Sequence, residues 1–157
     1  MDKLLKLLNK NARLSNSQMA VMLDMTEEEV AAAVAKLEAD GVVRGYKPLI
    51  DWEKTGEELV TAIIELNIAP TKTEGFDGIA NTILGFEEVE GLSLISGGHD
   101  LMVTVNGRSF KEVAMFVAKR LSPLDGVLAT ATHFVLKKYK ERGVSFVDEE
   151  KDERGSL

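Results

Sequence analysis

No cysteine occurs in the 157 residues, and that absence excludes a disulfide framework, a thiolate zinc site, an iron–sulfur cluster and a cysteine nucleophile. Proline is scarce at 3 residues and glycine stands at 13, so the composition is neither fibrous nor disordered. No apolar run approaches the ~20 residues that span a bilayer, and Met1-Asp2-Lys3 opens onto an amphipathic pattern rather than a signal core. A cytoplasmic location is expected. Positive charge is also in short supply: 19 Lys and Arg against 26 Asp and Glu leave a net charge of -7. Such a chain is repelled on average by nucleic acid and by anionic membrane. What is present is ordinary, with 45% hydrophobic and 29% charged residues. A chain of this length buries roughly two-thirds of its unfolded surface without metal or disulfide staples. One domain or two small ones fit.

Three short helices are predicted first. Leu4, Leu5, Leu7 and Leu8 recur at helical spacing over residues 2–9. Ser15-Asn16-Ser17-Gln18 has capping-box spacing and opens a second helix with Met19, Ala20, Met22 and Leu23 inward. Thr26-Glu27-Glu28-Glu29 is another such box, and its three carboxylates suit the positive end of a helix dipole. Val30, Val34 and Leu37 form the stripe of this third helix, and Gly41 is its stop. Only Asp24 and Met25 separate the second helix from the third, a connection that sets them steeply, as in a helix-turn-helix. A three-helix packing with no nucleic-acid role fits that spacing equally.

Val42 to Asp51 reads as an extended strand, with Pro48 tolerable at a sheet edge, and Thr55-Gly56-Glu57-Glu58 as a turn. From Leu59 the pattern is strand (59–68), helix (73–84), strand (89–96), then strand (101–105), helix (109–121), strand (127–136). Phe110, Val113, Ala114, Phe116, Val117 and Leu121 are expected inward on the second of these helices. Strand-helix-strand twice over predicts four antiparallel strands carrying two helices on one face. The other face needs a cover, and alternating residues such as Leu101, Val103 and Val105 point to dimerisation through it. The fold class is therefore α+β. Its expected divisions are a helix-turn-helix domain (1–41), a strand linker (42–58), a ferredoxin-like βαββαβ domain (59–140) and an acidic tail (141–157).

The run Asn11-Ala12-Arg13-Leu14-Ser15, with Met19-Ala20, Leu23, Met25-Thr26, Val30, Val34, Leu37-Glu38, Gly41-Val42-Val43 and Gly45-Tyr46, resembles the N-terminal half of the Lrp/AsnC feast/famine regulators. Gly97-Gly98-His99-Asp100-Leu101, with Gly126-Val127, Thr130, Thr132 and Val135-Leu136-Lys137, is similar to that family's C-terminal effector domain, the RAM domain. The resemblance spans nearly all of residues 2–140. It implies a winged-type helix-turn-helix that binds DNA, and a dimer, with octamers frequent, that binds an amino acid or similar small effector. By this resemblance Ser17, Gln18, Thr26, Glu28, Glu29 and Lys36 lie nearest the duplex, with Arg13, Arg44 and Lys47 on phosphates. Gly97, Gly98, His99, Asp100, Thr130 and Thr132 are the implied effector residues. Two glycines admit close approach of backbone N–H groups to a ligand carboxylate, and Asp100 accepts from an α-ammonium. The same residues also make a tight turn capped by Asp100.

Charge is where the chain departs from the family pattern. Ala31-Ala32-Ala33 occupies the middle of the third helix where members usually carry basic residues. From Thr26 to Glu38, Lys36 is the sole cation, against Glu27, Glu28, Glu29 and Glu38. Counterion release by Lys and Arg supplies sequence-independent affinity, so weak or absent DNA binding by this domain alone is expected. Capping accounts for the glutamates' position whatever the helix contacts. No carboxylate pair, metal-ligand spacing, nucleophile elbow or phosphate loop is apparent, so no catalytic residue, cofactor or metal is assigned. His99 and His133 lie in separate elements. Lys137 to Arg142 reads as a solvated strand end. A regulator and not an enzyme is the first reading. The second is a member with weak or lost DNA binding that acts as a ligand-sensing partner protein, or as an enzyme like the sirohaem decarboxylases, which resemble this family.

Overall fold

The computed structural model describes residues 2–148, which separate into two compact units divided between Pro48 and Leu49. The first unit holds α1 (Asp2–Lys10), α2 (Asn16–Leu23) and α3 (Glu27–Ala39). Both capping boxes form. Ser15 Oγ accepts from the Gln18 N–H at 3.2 Å while Gln18 Oε1 accepts from the Ser15 N–H at 2.9 Å. Thr26 Oγ1 accepts from the Glu29 N–H at 3.2 Å, and Glu29 Oε2 accepts from the Thr26 N–H at 2.8 Å. Each cap contributes about 1 kcal/mol and fixes where its helix begins. Between α2 and α3 the chain turns at Asp24, which takes the left-handed conformation that aspartate tolerates (φ 56).

Leu4, Leu8, Met19, Ala20, Val30 and Leu37 are buried together as the core of this unit. Met22, expected inside, is 60% exposed. It follows Ala20 by two residues, about 200° around the helix, and an eight-residue helix buries only a narrow stripe. The strand expected over Val42–Asp51 is also absent. The Val42 and Val43 N–H groups turn back onto the Leu37 carbonyl at 2.9 and 3.1 Å, and residues 44–51 join no ladder among the described residues. Pro48, with no N–H, is one reason.

The second unit is a four-stranded antiparallel sheet in the order β2-β3-β1-β4, with β1 Val60–Ile68, β2 Val89–Leu94, β3 Leu101–Gly107 and β4 Val127–Phe134. Helices α4 (Asp77–Leu84) and α5 (Phe110–Phe116) cover one face. Alternation decides which residues they cover: Ala62, Ile64, Leu66 and Ile68 of β1 and Leu101, Val103 and Val105 of β3 are buried against Ile83, Val113, Phe116, Val117 and Leu121. The three β3 residues expected on the open face thus lie beneath the helices. By register, the open face carries Ile63, Glu65 and Asn67 of β1, Met102 and Thr104 of β3, and Ala129, Ala131 and His133 of β4.

Four further details differ from expectation. α4 starts at Asp77 rather than Thr73, because Thr71 and Gly75 exchange backbone hydrogen bonds at 3.1 and 3.0 Å and Gly75 sits at φ 57. The α5 helix widens into a π turn at Val117–Leu121, which keeps Val117 and Leu121 on the core. Phe110 is 54% exposed, with its ring edge on Phe134 at 4.8 Å between centroids, and Ala114 is exposed as well. The basic stretch after β4 is not a simple strand end but a hairpin, β5 Lys140–Glu141 and β6 Val144–Ser145, turned by Arg142 (φ 46) and Gly143 (φ 85). Two consecutive left-handed residues are what a two-residue hairpin demands. Most of the acidic tail, Glu149 onward, lies outside the described residues.

Candidate DNA-reading and effector sites

All nine side chains expected near DNA, Arg13, Ser17, Gln18, Thr26, Glu28, Glu29, Lys36, Arg44 and Lys47, are exposed. Several are already engaged locally. Gln18, Thr26 and Glu29 make the caps, and the Ser17 hydroxyl is 2.9 Å from that of Ser15. The Thr26 N–H and hydroxyl hold the Glu29 carboxyl below its ordinary pKa, so it stays ionised in its cap. Capping stability of this kind is present at neutral pH and is lost as the pH falls through that lowered value. Lys36, the cation of α3, pairs with Asp40 at 2.8 Å. Arg44 folds its guanidinium over Gly41, where an added Cβ would come within 3.2 Å of it. The outward surface of α3 is therefore mostly glutamate and alanine, with Ala32 and Ala35 exposed beside the Asp40-paired Lys36. Beside it α2 and the turn expose Val21 (85%), Met22 and Met25, of which Met22 alone is expected inward from the spacing.

The loop between β2 and β3 is tied to β1 by Asp100. Its N–H donates to the Leu66 carbonyl at 2.9 Å, its carbonyl accepts from the Ile95 N–H at 2.8 Å, and its carboxylate accepts from the Ile68 N–H at 2.8 Å. The β1–β3 ladder ends at Leu66 and Leu101, so Ile68 has no partner on β3 and the Asp100 side chain stands in for one. Asp100→Ala is expected to cost about 1–3 kcal/mol by leaving that N–H unsatisfied, measured by denaturant unfolding. Asp100→Asn recovers most of the loss, since its amide oxygen accepts in the same place. Gly97 sits at φ 141, whereas a Cβ on Gly98 would meet nothing within 4 Å. Conformation therefore requires glycine at 97, and open space lies above 98.

The six expected effector residues do not converge. Thr130 and Thr132 pair with Leu66 and Ile64 and share their helix-covered face, where the Thr130 hydroxyl lies 3.4 Å from that of Ser122. His99 belongs to the other face: its Nδ1 is 2.8 Å from Asn67 Oδ1 and its Nε2 is 3.3 Å from Glu65 Oε2. The same carboxylate oxygen is 3.0 Å from His133 Nε2. The two histidines, far apart in sequence, thus meet on one glutamate, and His133 is an exposed side chain rather than a packed one. This group ties β1, β4 and the β2–β3 loop together across the open face. No sequence spacing announces it, because it depends on the register of Ile63 with His133 and Glu65 with Ala131.

A capped helix-turn-helix unit joined to a βαββαβ unit defines the class of two-part, ligand-responsive DNA-binding regulators. Residues 3–44 match the winged helix-turn-helix DNA-binding model, and residues 61–145 match the Lrp/AsnC ligand binding domain. The chain belongs to the Lrp/AsnC family of transcriptional regulators. It is 41% identical to YugG, an uncharacterized HTH-type transcriptional regulator of Bacillus subtilis, over 97% of this chain and 92% of that one. It is 31% identical to the HTH-type transcriptional regulator LrpA of Pyrococcus horikoshii over 88% and 96% of the two chains. Among solved structures, the complex of a Neisseria meningitidis transcriptional regulator with L-methionine superposes with a TM-score of 0.72 at 25% identity, covering 88% of this chain and 89% of the other.

Proposed function

We propose that this regulator reads duplex DNA through α3 with low intrinsic affinity, and gains working affinity by assembling as a dimer or octamer. The observation that carries the reading is the charge of α3: Glu27, Glu28, Glu29 and Glu38 against Lys36, which Asp40 already neutralises. Phosphate contacts are left to Arg13, Arg44 and Lys47, and base contacts to Ser17, Gln18, Thr26, Glu28, Glu29 and Lys36. One glutamate near a base edge is compatible with reading, since it accepts from a cytosine amino group, whereas three together repel phosphates. Linked modules raise overall affinity by orders of magnitude without a new contact, so assembly compensates for a weak reader.

The reading assigns DNA reading to 1–41, a linker to 42–58, effector binding and assembly to 59–140 and an acidic tail to 141–157. In this reading the effector is an amino acid held near Gly97, Gly98, His99 and Asp100, with Thr130 and Thr132 acting from the opposite sheet face through packing. The relative solved with L-methionine supports an amino acid as the ligand class. The protein works in the cytoplasm as a regulator and not as an enzyme. A fluorescence-anisotropy titration of random duplex at low salt, with calorimetry over the twenty amino acids, tests both halves. Binding of random duplex weaker than micromolar is expected, together with heat from at least one amino acid. Submicromolar binding to random duplex overturns the first half. Silence from all twenty amino acids overturns the second.

A further inference from the structure

The β5–β6 hairpin gathers positive charge in a chain that is short of it. Lys137, Lys138, Lys140 and Arg142 are all drawn from one short stretch, although the net charge of the chain is -7. Glu141 is the sole carboxylate among residues 137–147, and it pairs with Lys138, whose ammonium also lies 5.4 Å from the Phe146 ring centre. Asp148, at the foot of the hairpin, pairs with Lys54 at 2.5 Å. Three cations are left over. Lys137 lies 5.1 Å from the Tyr139 ring centre, a contact that leaves its charge in place. The side chains of Lys140 and Arg142 have no ion-pair or hydrogen-bond partner among the described residues. Lys137, Lys140 and Arg142 are all exposed.

Arg142 carries a second observation that is independent of charge. It occupies the hairpin tip at φ 46, ahead of Gly143 at φ 85. Glycine, asparagine and aspartate are the residues that suit such a position, and an arginine there is strained. Among the described residues the other non-glycine at positive φ is Asp24, an aspartate. A strained residue whose guanidinium holds nothing inside the molecule points to a use outside it.

We infer that this hairpin is a second duplex-binding element, with the Lys140 ammonium and the Arg142 guanidinium on DNA phosphates and Lys137 beside them. The inference rests on the reading that the chain binds DNA, and goes beyond it by placing phosphate contacts on the second unit. Duplex DNA is the polyanion that a helix-turn-helix regulator meets, and the one cation of α3, Lys36, is already held by Asp40. Ammonium and guanidinium groups are what hold phosphates in register. The overall negative charge does not prevent the contact, because at 0.1 M salt exposed charges more than about 10 Å away are largely screened. The rival occupant is the chain's own run at 149–153, four carboxylates with one lysine.

Anisotropy titrations of random duplex with the full chain, across a low-to-moderate salt series, test the inference with two paired substitutions. Lys140→Gln with Arg142→Asn removes two charges and gives the tip a residue that takes the left-handed conformation readily. Lys72→Gln with Lys111→Gln removes two exposed charges elsewhere on the second unit. The hairpin pair is expected to lower the slope of log affinity against log salt by about 1.8 and to weaken binding at 0.1 M by about one to two orders of magnitude. The Lys72 and Lys111 pair is expected to leave the slope at the parental value. The difference in slope reads the hairpin alone, whereas the absolute affinity of the parent reads α3, so the two readings fail separately. A hairpin pair with the parental slope overturns the inference, and so does an equal loss of slope in the Lys72 and Lys111 pair. Deletion of residues 149–157 then identifies the rival occupant, if it lowers the unfolding midpoint of the parent and leaves that of the hairpin pair unchanged. A parent that binds no duplex at any salt takes DNA reading and the hairpin contact down together.

Discussion

Arginine at both Ala32 and Ala35 is expected to tighten binding of the full-length chain to duplex DNA by about one to two orders of magnitude at 0.1 M salt. Both alanines are exposed on α3, so the substitution leaves the buried stripe of Val30 and Leu37 untouched. Arginine is close to alanine in helix propensity, so the helix itself is scarcely disturbed. Each new phosphate contact steepens the dependence of log affinity on log salt by about 0.9 and is worth roughly eightfold at 0.1 M relative to 1 M. Two contacts therefore raise the slope by about 1.8. Glutamine at the same two positions supplies reach without charge and leaves the slope where it was. Anisotropy titrations across a salt series measure both quantities. An unchanged slope in the double-arginine variant would place the duplex away from α3, and the low-affinity reading would lose its physical basis.

How the fold was written into the chain differs between the two units. In the first, start signals are local: Ser15 with Gln18 and Thr26 with Glu29 are capping boxes in sequence and form as such, so α2 and α3 begin where expected. Stop signals are weaker: after Gly41 the chain stays outside any ladder among the described residues, and Pro48 is the one local sign of it. In the second unit, alternation along β1 and β3 reveals two faces but carries no label for the one that receives the helices. Alternation alone therefore fits Leu101, Val103 and Val105 to either face, and their burial beneath the helices is what three apolar residues in alternation require of a covered face. The α4 start was displaced by the conformation of Gly75, and the β5–β6 hairpin was hidden by lysines that read as a solvated end. The effector loop was legible as glycines and an aspartate, but not the use of Asp100 as a substitute strand partner for Ile68. The meeting of His99 and His133 on Glu65 was out of reach, since register and not spacing creates it.

With Leu101, Val103 and Val105 beneath the helices, the proposed dimer has a different sheet face to use. The open face is not an aliphatic sheet: it mixes Ile63 and Met102 with small residues (Ala129, Ala131, Gly91, Ser93) and the Glu65–His99–His133 group. Small residues let a second sheet approach closely, and close approach makes an added charge costly. Thr104 is the position to use. It sits on a central strand, opposite Ile63 on one side and Gly91 on the other, and an added Cβ at Gly91 would lie 3.6 Å from the Thr104 Cβ. In an isolated chain Thr104→Lys extends into solvent and changes stability little, apart from the modest loss of a β-branched residue in a strand. Within a face-to-face dimer the same ammonium is buried beside a Glu65 carboxylate that His99 and His133 already share, and each chain contributes one. An uncompensated buried charge costs about 3 kcal/mol or more, which weakens association more than hundredfold. Light scattering at micromolar concentration is expected to show a folded monomer, with circular dichroism close to that of the parent chain and an unfolding midpoint lowered by the lost association. A Thr104→Lys chain that still assembles with parental affinity would move the dimer interface off this sheet face.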